Sequence, residues 1–123
     1  MKILISLIIL CSIQTFAAEV TGEVTLAKGA VLKPGGVLFI FAKKVGNPMP
    51  AAVLRIPEPK LPYKFALSEK NAMAPGTPFD GPFTITARHA PTGDAMDKSG
   101  PEGSAPKPVS VGTKNVKIEI KPK

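Results

Sequence analysis

The stretch GVLFIFAKKVGNPMPAAVLRIPEPKLPYKFAL, residues 36–67, decides the fold. It opens with the densest apolar run outside the N-terminal segment, Val37-Leu38-Phe39-Ile40-Phe41-Ala42. That run is too short for an independent helix and is bounded by Pro34-Gly35-Gly36 and Lys43-Lys44. Its β-branched and aromatic content favours a strand buried on both faces. Residues 51–56 and 63–67 read as two further strands, set apart by proline-rich turns. A buried central strand with partners in one sheet needs a second layer over it. The stretch predicts a small β domain and names no chemistry.

Upstream, residues 1–17 read as a secretory signal peptide and residues 18–123 as one domain. Lys2 supplies the positive start, residues 3–13 the apolar centre, and Thr15-Phe16-Ala17 the small residues before a cut. The apolar run is shorter than the about 20 residues a spanning helix needs, so no transmembrane segment is expected after cleavage. Cys11, the only cysteine, leaves with the peptide. The remaining domain therefore has no disulfide and depends on its core.

The formal charge is +7, and removal of Lys2 lowers it by one. A basic balance raises nucleic acid as a partner. Yet Arg55 and Arg88 are the only arginines, and no aromatic residues are interleaved with the lysines to stack bases. Nucleic acid is not expected. The lysines read as solvated strand faces, which also discourage edge-to-edge pairing.

Residues 20–26 alternate cleanly, with Val20, Val24 and Leu26 on one side and Thr21, Glu23 and Thr25 on the other. The same period of two marks residues 63–67, 83–89 and 115–121, with a doubtful piece at 109–111. Residues 68–82 form a long connection. There Met73-Ala74-Pro75-Gly76 predicts a type II turn, with Met73 folding back as core. Residues 90–108, polar and rich in Gly and Pro, predict a mobile loop. Six clear strands and one doubtful one fit an all-β, Ig-like sandwich of about seven short strands.

Candidate chemistry is sparse. His89, the only histidine, ends a strand on the inward parity and has no nucleophile partner in any known spacing. Met49, Met73 and Met96 fall in loops and, with His89, form the one soft-ligand set suited to copper. Scattered methionines more often fill gaps. No phosphate loop, carboxylate pair or nucleophile elbow is present. A non-enzyme without a cofactor is expected; a copper- or haem-handling protein is the alternative.

The pieces GGVLFIFAK, GNPMPAAVLRIPEPKLPYKFAL, NAMAPGTPFDGPFTITAR and NVKIEI, in that order, resemble the C-terminal periplasmic domain of the cytochrome c-type biogenesis protein CycH (CcmI). The resemblance runs from about Thr21 to the end. It implies an Ig-like domain, here as a stand-alone secreted copy. It also implies a periplasmic role in c-type cytochrome maturation, by binding a pathway protein or apocytochrome c.

A physical oddity suggests where binding occurs. Residues 37–42 are apolar on both parities, whereas one face of a sandwich strand normally meets water. Residues 68–82 are the expected cover. If that face is open, Leu38, Ile40 and Ala42, rimmed by Lys43, Lys44 and Lys64, form the candidate docking surface.

Overall fold

Period-two alternation of apolar and polar side chains becomes strand wherever it is sustained. In the computed structural model, which describes residues 19–73 and 79–122, seven strands form. They are β1 (Glu19–Leu26), β2 (Val37–Lys44), β3 (Pro50–Pro57), β4 (Tyr63–Ser68), β5 (Phe83–Ala90), β6 (Glu102–Ser104) and β7 (Val116–Ile120). A single 3₁₀ turn, Glu69–Asn71, follows β4. Asn71 Oδ1 accepts the Ser68 N–H at 3.0 Å and fixes its start. The expected signal peptide with Cys11, and Ala74, Pro75 and Gly76 of the expected turn, lie outside the described residues.

The strands form two layers, β4-β1-β7 and β3-β2-β5-β6. β1 runs antiparallel to β4 and parallel to β7, while β2 is flanked antiparallel by β3 and β5. Between the layers, Val20, Val24, Phe65, Leu67, Ile118 and Ile120 pack against Leu38, Ile40, Ala42, Ile56, Phe83, Ile85 and Ala87. Each fully buried aliphatic or Phe side chain contributes about 1.5–3 kcal/mol, so this interior holds the fold without a disulfide. Leu26 ends its strand on the inward parity yet stays exposed; it still pairs with Ile120, but the β4 register has ended at Val24 and Tyr63.

The sides close differently. At one, Glu102 and Lys121 exchange both main-chain bonds at 3.1 and 3.0 Å, stitching β6 to the end of β7 across the layers. At the other, Ala72 bridges to Ala52, and the Met73 N–H reaches the Ala51 carbonyl at 3.0 Å. That pairing covers the beginning of edge strand β3.

Three expectations are corrected. The doubtful strand at 109–111 is only a main-chain pair between Val109 and Phe83, at 2.7 and 2.8 Å. The seventh strand is instead β6, inside the segment expected to be a mobile loop; its three residues are too few to show a period. Met73 is exposed rather than core, because its backbone extends along β3 instead of folding over the sandwich end.

Candidate docking surface

β2 is buried on both faces. Leu38, Ile40 and Ala42 point between the layers and are fully buried. On the opposite face Val37, Phe39 and Phe41 form a second apolar cluster with Ala90, completed by half-buried Val53 and Ala95. Phe39 and Phe41 are two apart on one strand, so their rings stand side by side, with centroids 5.9 Å apart and planes 15° from parallel. The cover that this face needs comes from residues 91–101, which bring Ala95 onto it. Residues 68–82 send Phe79 into the main core instead, stacked on Phe83 at 4.7 Å.

Short polar side chains hold the 91–101 segment as a strap. Asp97 Oδ2 accepts the Thr92 N–H and hydroxyl at 3.2 and 2.8 Å; Oδ1 accepts those of Ser99 at 3.0 and 2.6 Å. The Ser99 hydroxyl above all, then its N–H and the Thr92 hydroxyl, holds the Asp97 carboxyl far below the usual carboxylate range. Asp94 Oδ1 accepts the Met96 N–H at 2.9 Å. From β5, Arg88 donates to Glu102 Oε1 at 2.7 Å and to the Ala95 carbonyl at 2.9 Å. Four acceptors in a short segment make a compact Ω-type loop rather than a mobile one.

His89 lies at the strap's root, facing inward. Its residue is 1% exposed, and neither ring nitrogen has a hydrogen-bond partner among the described residues. A Cβ on Gly36 would come within 2.3 Å of Nε2, so only glycine leaves room for the ring. A Cβ on Gly100 would come within 2.0 Å of the His89 carbonyl, so the strap's return leg also presses against this residue. Burial pushes the imidazole below its ordinary pKa, opposed by the charge of Asp97.

The six residues expected to form one docking surface do not do so. Leu38, Ile40 and Ala42 are 0% exposed and offer nothing to a partner, because the second layer covers one face of β2 and the strap the other. Lys43 and Lys44 end β2, and Lys44 Nζ meets Asp80 Oδ1 at 2.5 Å, which lowers the Asp80 pKa. Lys64 belongs to the other layer. There it lines an open groove of about 510 Å³ with Thr21, Glu23, Asn115 and Lys117.

The soft-ligand set does not converge either. Met49 sits in the β2–β3 hairpin with Met73 at its base, where the Met73 N–H meets the Ala51 carbonyl, while Met96 lies in the strap. The pairing of Val37 with Ala90 and of Lys44 with Phe83 places those two connections at opposite ends of the sheet. The His89 ring is interior. Among the described residues no three His, Cys, Asp or Glu side chains gather as a metal site.

One surface residue escaped the pattern reading. The Asn47 N–H reaches the Lys44 carbonyl at 2.9 Å, and Gly46 has φ 86°, which makes residues 44–47 a type II turn. The turn throws Val45 outward, 57% exposed. Met49 (67%) lies on the same hairpin, and Met73 (58%) lies beside Ala51 at its base. The Val45-Gly46-Asn47 tripeptide was the available signal.

Residues 20–121 match a family model described as the Cytochrome c-type biogenesis protein H Ig-like domain. No curated protein matches the chain. Among solved structures, an alternative pilotin from the type II secretion system of Vibrio cholerae is similar at a TM-score of 0.50 and 13% identity. That match covers 85% of this chain and 97% of the pilotin chain. The likeness is one of fold. No helix among the described residues is long and apolar enough to cross a membrane.

Proposed function

Since the chain belongs to the family of the cytochrome c-type biogenesis protein H Ig-like domain, we propose that it is a non-enzymatic protein-binding module. In this reading it is exported to the periplasm and serves c-type cytochrome maturation. The observation that carries the reading is the family match over residues 20–121. The side chains support it. His89 is enclosed, and Arg88 and Asp97 are occupied in holding the strap. Binding to a pathway protein or apocytochrome c occurs at the hairpin end, where Val45, Met49 and Met73 are exposed beside Lys43. Exposed apolar side chains grouped at one place mark interaction sites.

The test is capture from periplasm with the tagged protein, together with deletion of its gene. Recovery of a maturation protein, and a loss of c-type cytochromes on deletion, are the expected results. Normal levels of every c-type cytochrome, with no maturation protein captured, overturn the reading.

A further inference from the structure

Among the described residues His89 is the one buried polar side chain, and it leaves two ring nitrogens unpaired. An unmade bond on a buried polar atom is costly, and such groups in native folds usually have a use. Its surroundings are specific. The neighbours on this side are Gly36, just before β2 and against the ring, and Leu38 of β2, its partner in register. Lys33 and Glu58 reach Gly36 only through main-chain bonds and are themselves exposed. Arg88 bonds to Ala95 and Glu102 on the opposite face of β5. Glu102 and Lys121 pair through their backbones. From the strap, Gly100 and Pro101 touch the His89 backbone, with the His89 N–H donated to the Pro101 carbonyl at 2.9 Å. Asp97 is held to Ser99, the residue directly before Gly100, so among the described residues its carboxylate is the strap anion nearest in the chain to the contact with His89, and its charge opposes the effect of burial on the imidazole.

We propose that residues 91–101 are an acid-released strap: a proton on His89 draws Asp97 out of its Thr92–Ser99 cage and uncovers the Val37–Phe39–Phe41 strip. The charged ring cannot stay where it is without a counter-ion, since burying an unpaired charge is prohibitive. Asp97 is the available anion, and the strap that carries it is also the lid over the strip. The two arrangements of Asp97, caged by hydroxyls or paired with imidazolium, make a two-state element. The direction with pH follows. The open form binds more protons than the closed form once pH falls below about 6.5, the ordinary imidazole value, so the closed form loses ground from there downward. Asp97 itself titrates far lower, which separates the two effects. The proposal stands whether or not the domain docks a maturation protein.

The test follows the His89 ring by NMR in the isotope-labelled protein between about pH 7.5 and 4.5. Amide protection, corrected for intrinsic exchange, and binding of the apolar dye 8-anilinonaphthalene-1-sulfonate are read in parallel. His89 should titrate below its ordinary value. With the same midpoint, protection at Gly93, Asp97 and Ser99 should drop at least about tenfold while that of Ile40 and Ile118 persists, and dye binding should rise. Asp97→Asn should move the His89 midpoint further down, and His89→Gln should remove the pH dependence of strap protection. Strap amides that keep their protection while His89 becomes charged would overturn the proposal. So would an unchanged transition in His89→Gln, or an unmoved midpoint in Asp97→Asn. If His89→Gln does not fold, the wild-type midpoints decide alone.

Discussion

The Arg88 guanidinium lies 5.1 Å from the centroid of the Phe41 ring, over the face that β2 turns away from the main core. The same side chain bonds Ala95 in the strap and Glu102 in β6. One planar fork thus ties three segments together and places a charge against an aromatic face, where it is attracted by the ring quadrupole. Residues 91–101 stay closed over an apolar strip largely because β5 offers this side chain at the position paired with Phe39.

Arg88→Met should destabilise the domain by about 2–3 kcal/mol, since it removes two charge-assisted hydrogen bonds, one of them to a carboxylate, from a side chain only 11% exposed. Arg88→Lys should recover only part of this, because an ammonium cannot reach both acceptors in the fork geometry. Urea unfolding midpoints measure both. Equal stability of Arg88→Lys and wild type would show that charge alone matters at this position.

Charge placed on β2 separates core from surface. Leu38→Glu or Ile40→Asp buries an unpaired carboxylate between the layers and should cost about 4 kcal/mol or more, leaving little folded protein. Met49→Asp, on the exposed hairpin, should leave the thermal midpoint within about a degree or two of wild type, as surface changes do. It should nonetheless abolish partner capture. Circular dichroism melts and the capture assay read the two effects, and retained capture in Met49→Asp would move the docking site elsewhere.

Strands with one face in water were legible from their alternation: Phe83, Ile85 and Ala87 alternate with Thr84, Thr86 and Arg88, and β5 follows. The apolar run of β2 correctly announced a strand buried on both faces. What covers its second face was not legible. The strap contributes a single small apolar residue, Ala95, and is held by Asp97, which in sequence looks like solvated loop charge, and by Arg88, which looks like a solvated residue on the outer face of its strand. For the same reason the docking residues were misassigned. Parity within one strand does not say how many layers lie above it, so Leu38, Ile40 and Ala42 could be read as surface. Lys64 was grouped with Lys43 and Lys44 although it sits on the other sheet.

Gly36→Ala should destabilise by about 1–3 kcal/mol, the usual cost of overpacking, because the new methyl lands on the His89 ring. Shortening the neighbour tests the cause. In a double-mutant cycle with His89→Ala the two changes should couple favourably, with the pair losing less than the sum of the singles. Strict additivity would place the clash elsewhere.

The remaining alternative, soft-metal handling, makes the last prediction. Cu(I) binds through thioether and imidazole ligands brought within bonding distance of one ion. Here Met49 and Met73 share the hairpin end, two thioethers without a third ligand among the described residues, and Met96 lies in the strap at the opposite end of an eight-residue strand. Such a strand spans roughly 25 Å at about 3.3 Å per residue, several times any coordination radius. His89 is no nearer to serving, since its ring is enclosed behind Gly36. Competition against a Cu(I) chelator should therefore show no tight one-to-one binding at neutral pH, and replacing Met49 and Met96 together by Leu should change nothing in the titration. Tight stoichiometric binding lost in that double variant would show that the two methionines converge on an ion between molecules, and would promote metal handling over protein docking.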